Sequence, residues 1–206
     1  MTALDPETGE LVGPASAVQA LLDGTATVED DDVAAALEAA RTATFRIWTE
    51  GFDPAATVLG DGTLCVLVTE RPDDVQGLLP TTTARLPVAL AAWLGLSPHP
   101  IPAHPPVRLP PGPMAILIGR GEAHGHELAP ELANDLQARL DAGTRHWTVR
   151  FQRGEWRRNL EVLEGAAGIW RIRPAGELVE LAPTSTTAVV RELIALFWSA
   201  SRSAAP

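Results

Sequence analysis

A chain of 206 residues, 46% of them hydrophobic, exceeds a typical single domain, has material for a sizeable core, and falls short of two large domains. A formal net charge of −10 excludes a general nucleic-acid or anionic-membrane surface. All sixteen basic residues are arginine, which excludes Schiff-base and ordinary Walker-loop chemistry, and the single cysteine, Cys65, excludes an intrachain disulfide.

The first segment, 1–30, opens on MTALDPETGELVG, with neither a basic stretch nor an apolar run of the kind a Sec signal peptide needs. The longest apolar run, 86–96, falls far short of the ~20 residues of a spanning helix. A soluble, cytoplasmic chain is the expectation. SAVQALLDG (16–24) predicts one short helix stopped by Gly24.

DDVAAALEAAR (31–41) predicts a helix with Asp30, Asp31 and Asp32 at the positive end of its dipole. Strands follow. Phe45 and Ile47 alternate with Thr44 and Arg46, which predicts one buried and one wet face. Asp61-Gly62 marks a tight turn, since both residues tolerate positive φ. Cys65 alternates within an apolar strand as a small buried side chain, and Asp73-Asp74 read as solvated turn residues. LLPTTTARL (78–86) closes the strands and leads to a short helix expected from near Thr83, because Pro87 lacks an amide hydrogen.

SPHPIPAHPPVRLPPGP (97–113) holds eight of the eighteen prolines and reads as an extended, stiff linker over 98–113 crossing the surface, or as a proline-rich recognition peptide. MAILIGRGEAHG (114–125) looks like the start of a dinucleotide site through Gly119, Gly121 and Gly125. The spacing is off by one residue and no βαβ unit surrounds it, so a glycine-broken loop is the alternative. His124 and His126 with Glu122 and Glu127 have metal-ligand chemistry but no second cluster beside them. No nucleophile-elbow, paired-cysteine or zinc-protease motif occurs. No catalytic, cofactor-binding or metal-ligating residue is therefore assigned, and no cofactor is expected.

PELANDLQARLDAG (130–143) predicts a helix with Leu132, Leu136 and Leu140 on one face, Pro130 in its first turn and Gly143 at its stop. Trp147, Val149 and Phe151 then alternate with Thr148 and Arg150, and Pro174-Ala175-Gly176 turns the next strand into ELVEL (177–181). In LAPTSTTAV (181–189), Pro183 ends the strand and Thr184 or Ser185 caps a helix running to about Ser199, with Val189, Leu193, Leu196 and Phe197 inward.

Set Thr44 on Thr148 and the halves come into register: TFRIW on TVRFQ, TVLGDG on EVLEGA, LCVLV on IWRIR, and PTTT on PTST. The expected fold is α+β, built from two quasi-symmetric helix–antiparallel meander–helix repeats at 31–97 and 114–200 within one compact domain, with a flexible tail at 201–206. Connections this short require antiparallel neighbours. The same alternation places Arg46 and Arg150 at equivalent points of the outer face with Trp48 beside them, and Arg171 and Arg173 are candidates for the same cationic patch. Trp beside Arg is the composition of an interface anchor. The alternative is that these arginines pair with nearby carboxylates and that a helix covers Trp48.

LEVLEGAAGIWRIRPAGELVELAPTSTTAVVRELIALF (160–197) resembles the C-terminal part of the EspG family, actinobacterial proteins of type VII (ESX) secretion, and RIWTEGFDPAATVLGDGTLCVLV (46–68) is similar to the family's first sheet segment. The arginine-only basic composition, rich in Ala, Leu, Gly and Pro, fits such a GC-rich source. The resemblance covers most of 31–199 and implies an α+β fold with quasi-twofold internal symmetry. It implies a cytosolic chaperone that binds the exposed tip of a helical secretion substrate, PE/PPE- or WXG-like, and keeps it soluble. The chain departs in its shorter linker and N-terminal region, and no contact residue transfers individually. Two other readings stand beside this one: a metal- or small-molecule-dependent enzyme seated between the halves, and a structural homodimer module.

Overall fold

The computed structural model describes residues 2–5, 8–52, 55–99, 101–103, 105–112, 145–165 and 168–202. The helix expected at 130–143, the glycine-rich stretch 114–125 and the His124/His126 group lie outside them. The fold is α+β, with a large antiparallel sheet and, among the described residues, four helices longer than a single turn.

The strands are β1 (Ala3–Leu4), β2 (Leu11–Pro14), β3 (Phe45–Glu50), β4 (Ala56–Gly60), β5 (Leu64–Arg71) and β6 (Val75–Thr82), then β7 (Val107–Leu109), β8 (Arg145–Arg153), β9 (Trp156–Gly165), β10 (Gly168–Ala175) and β11 (Leu178–Thr184). Their order is β1-β2-β6-β5-β4-β3-β8-β9-β10-β11-β7, and among the described residues the pairings β1–β2, β2–β6, β6–β5, β5–β4, β4–β3, β9–β10, β10–β11 and β11–β7 are antiparallel. The helices are α1 (Ala15–Leu22), α2 (Asp31–Arg41), α3 (Leu86–Trp93) and α4 (Thr186–Arg202). Two compact units result: Met1–Leu94 with Val149–Asn159 and Ile194–Pro206, and Gly95–Thr148 with Leu160–Leu193.

In the first unit the Asp30 carboxylate accepts the amides of Asp32 and Val33, fixing the start of α2. The apolar side of α2, with Val33, Ala36, Leu37 and Ala40, packs with Val18 and Leu21 of α1 onto Leu11, Val66, Val68 and Leu78. The other face of the sheet carries Phe45, stacked on Phe151 at 5.8 Å, and Phe151 meets Phe197 of α4 edge-on at 6.3 Å. Both faces are thus packed along β5, where Cys65 to Thr69 are all buried. That agrees with the apolar run read around Cys65.

The N-terminal residues supply a strand that the sequence did not suggest. β2 pairs with β6, bringing Leu11 opposite Leu78 and Val12 opposite Gly77. The buried Glu10 accepts from the Thr69 hydroxyl at 2.9 Å and from Arg71. A Cβ on Gly77 would overlap the Glu10 carboxylate and come 2.7 Å from Thr69 Oγ1, so any larger residue has to displace these side chains.

Helix α3 begins at Leu86 rather than near Thr83. Pro87 therefore falls in the first turn, where its missing amide costs nothing. At the β4–β5 turn the Asp61 carboxylate accepts the amides of Thr63 and Leu64, and Gly62 takes φ +109°.

In the second unit the proline-rich stretch is more than a linker. Its Val107–Leu109, flanked by prolines on both sides, forms the edge strand β7 against β11 with Leu109 fully buried. Proline suits an edge, because one side of an edge strand donates to no neighbour. Ser185, not Thr184, caps α4 by accepting the Ala188 amide at 3.1 Å, and α4 continues to Arg202. Thr186 of α4 donates to the Ser97 carbonyl at 2.7 Å and accepts the His99 amide at 3.2 Å.

Candidate functional site

On β3 the residues alternate as expected, with Phe45, Ile47 and Thr49 buried, Arg46 and Glu50 exposed, and Trp48 half-buried. Arg46 and Trp48 share the side of the sheet on which α1 and α2 lie. The cross-strand pairs Arg46↔Leu59↔Val66 and Trp48↔Thr57↔Val68 lead into the cluster those helices cover. The helices stop short of Arg46. Its guanidinium carbon lies 5.7 Å from the Trp48 ring centre, within cation–π range.

Two concavities meet at this pair. The larger, about 620 Å³, is lined by Asp23, Arg41, Arg46, Glu70 and Gln76 over the apolar Leu59. Both signs of charge are present, and Arg41 is already engaged by Glu38 and the carbonyls of Leu21 and Leu22. The smaller, about 230 Å³, is lined by Trp48, Arg150, Phe151, Arg157, Arg158 and Asn159. No carboxylate lines it. The Arg150 Nε donates to Glu50 Oε1 at 2.6 Å, and the Trp48 indole donates to the same oxygen at 3.2 Å. One carboxylate thus orients the two side chains that wall the hollow.

Sequence reasoning missed Trp156, Arg157 and Arg158. The turn at Gly154, with φ +53°, carries the chain from β8 straight into β9 and sets these residues beside Phe151. Trp156 meets the Phe151 ring edge-on at 5.2 Å, and the Arg158 guanidinium lies 5.5 Å from the Trp156 centre. The signal was legible as EWRR at 155–158, a tryptophan followed by two arginines in a chain of net charge −10.

Arg171 and Arg173 sit in the second unit on β10. Arg171 does not present an open cation: its side chain is 12% exposed, with Nε held by Glu192 at 2.8 Å and Nη1 by the carbonyls of Glu161 and Ile172. Here the reading in which arginine pairs with a nearby carboxylate is the one observed. Arg173 is exposed opposite Glu180. The same unit holds the buried Glu164, which accepts from Arg145 at 2.6 Å and from the Trp147 indole at 2.9 Å, with His99 Nε2 at 3.6 Å.

Burial pushes the Cys65 thiol up to about 12, and the nearby Asp61 charge adds to the effect. Such a thiol is inert, which agrees with a packing role. Among the described residues no group of three His, Cys, Asp or Glu side chains could hold a metal ion, and no helix is long and apolar enough to cross a membrane.

No protein-family model matches the chain, and no curated protein matches it. Thirteen chains of solved structures do. One is the Mycobacterium tuberculosis type VII secretion system chaperone EspG5, determined in complex with the PE25–PPE41 dimer. It superimposes with a TM-score of 0.61 over 91% of this chain and 95% of that one, at 13% identity. This chain has the EspG fold. In the EspG-like frame the hollow walled by Trp48 and Arg150 belongs to the first unit. At 13% identity the likeness is one of fold, and function has to be argued from the site.

Proposed function

We propose that this protein is a cytosolic chaperone or adaptor of a type VII secretion system that binds a helical secretion substrate and keeps it soluble for export. The observation that carries the reading is the fold shared, over 91% of the chain, with a chaperone determined in complex with a PE–PPE dimer. The physics of the hollow supports it. An aggregation-prone helical tip exposes apolar residues, and an aromatic floor with a charged rim covers such a tip reversibly. Trp48 and Arg150 are the anchors of this surface, with Arg46 at its border. Arg173 remains a candidate contact. The role is binding, without bond-making chemistry.

We read 31–97 and 114–200 as two copies of one helix–meander–helix unit. In support, β3 to β6 followed by α3 repeats the order of β8 to β11 followed by α4.

The test is co-expression with PE–PPE- or WXG-type helical proteins encoded beside the gene. A soluble, stoichiometric complex supports the reading. Substrate that precipitates equally with and without this chain contradicts it.

A further inference from the structure

We infer that the polypeptide captured at the small hollow presents carboxylates to it, so that the bound surface is an acidic helical segment and not a purely apolar one. The inference rests on the protein-binding reading above and adds the partner's chemistry. Several arginines are ion-paired: Arg41 with Glu38, Arg71 with Glu10, Arg108 with Glu180, Arg145 with Glu164, Arg150 with Glu50 and Arg171 with Glu192. What sets Arg46, Arg157 and Arg158 apart is that they gather at one hollow. All three are exposed, and none has a carboxylate partner among the described residues. All three lie within the first unit, Arg157 and Arg158 lining the hollow itself and Arg46 stacked over its Trp48 wall.

In a chain of net charge −10, a hollow lined by arginines and by no carboxylate attracts anions locally. Two of the guanidiniums are held against tryptophan rings, Arg46 over Trp48 at 5.7 Å and Arg158 over Trp156 at 5.5 Å. A guanidinium held near a ring face at this range keeps donors open for two parallel bonds with a carboxylate. The larger cleft offers no such selectivity, because Asp23 and Glu70 line it together with its arginines. A long polyanion such as nucleic acid fits poorly, since beyond the hollow it would meet an acidic surface. A few carboxylates on a helix fit both the volume of about 230 Å³ and the local charge.

The probe is a labelled 15-residue alanine-based helical peptide carrying four glutamates, with an otherwise identical glutamine peptide and a 15-nucleotide oligothymidine as comparators. Fluorescence anisotropy is read at low and physiological salt on the full chain and on an Arg157→Gln/Arg158→Gln variant, whose changes are at exposed positions. The inference expects the glutamate peptide to bind at least tenfold more tightly than the glutamine peptide, to weaken with salt, and to lose at least tenfold in the variant. Equal binding of the two peptides, no binding of the glutamate peptide, unchanged affinity in the variant, or tighter binding of oligothymidine would overturn it. Capture of a co-expressed substrate by the wild-type chain is scored separately. Failure with the glutamate peptide alongside intact capture removes the acidic partner and leaves the chaperone reading. Failed capture alongside glutamate-selective binding removes the chaperone reading and leaves the acidic specificity.

Discussion

Arg150 and Glu50 form an ion pair at 2.6 Å, and the Glu50 oxygen that accepts it also accepts the Trp48 indole at 3.2 Å. The Arg150 and Glu50 side chains are both more than two-fifths exposed, and surface pairs of this kind contribute only about 0–1 kcal/mol to folding. Their consequence is therefore positional. Glu50→Ala should leave the thermal midpoint within about 2 °C of wild type while reducing substrate capture roughly three- to tenfold, because the indole and guanidinium lose their shared anchor. Thermal denaturation beside quantitative pull-down reads both quantities. A large loss of stability with unchanged capture would reverse the assignment.

Gly77 and Glu10 test the N-terminal strand. Gly77→Ala forces the Glu10 carboxylate off Thr69 and Arg71, an overpacking cost of about 1–3 kcal/mol. Shortening Glu10 to Ala removes the closer obstruction and leaves only Thr69 Oγ1. In a double-mutant cycle Gly77→Ala should cost markedly less in the Glu10→Ala background than in wild type. Additive costs would mean the two side chains do not meet.

Glu164 is the hub of the second unit. Glu164→Ala removes the carboxylate that accepts from the buried Trp147 indole and the Arg145 guanidinium. With Arg145 partly exposed to solvent, the expected loss is about 2–3 kcal/mol in denaturant unfolding. Glu164→Gln retains an acceptor oxygen for the indole and should lose about half as much. Equal losses would assign the effect to packing volume instead.

Cys65 gives a pH dependence open to clean measurement. With no lysine and no tyrosine in the chain, it is the one side chain expected to titrate between pH 9 and 12. Its folded value of about 12 lies above the ordinary thiol value of 9.0, so the unfolded chain loses this proton first. The stability contribution is complete below pH 9 and is lost as pH rises toward 12, with a slope approaching about 1.4 kcal/mol per pH unit. Cys65→Val should flatten that slope. Rapid labelling of native Cys65 by a thiol reagent at pH 8 would contradict the burial that sets it.

How much of this was legible follows from where each signal resides. The turn at Asp61-Gly62, the dipole-matched start of α2, and the alternation through Phe45, Ile47 and Trp48 are local, and they were readable. β2 and β7 were not. Each is four residues or fewer, and each is a strand only because a partner elsewhere offers an edge, Leu78 for Leu11 and Val179 for Leu109. Arg46, Trp48 and Arg150 could be placed on one face from period two alone. That α1 and α2 cover part of that face depends on chain packing, as does the neutralisation of Arg171 by Glu192, twenty-one residues away. Arg157 and Arg158 were readable as charge but not as a site, because only the β8–β9 turn sets them beside Trp48.

The central claim is that this chain grips another polypeptide through the Trp48–Arg150 hollow. Size-exclusion chromatography of the co-expressed helical substrate with wild-type chain and with Trp48→Ala/Arg150→Ala, each checked for its unfolding midpoint, tests it most directly. The account predicts a one-to-one complex for wild type and at least a tenfold loss of captured substrate for the folded double variant, about 1.4 kcal/mol or more. A folded double variant that carries the substrate as fully as wild type would contradict it.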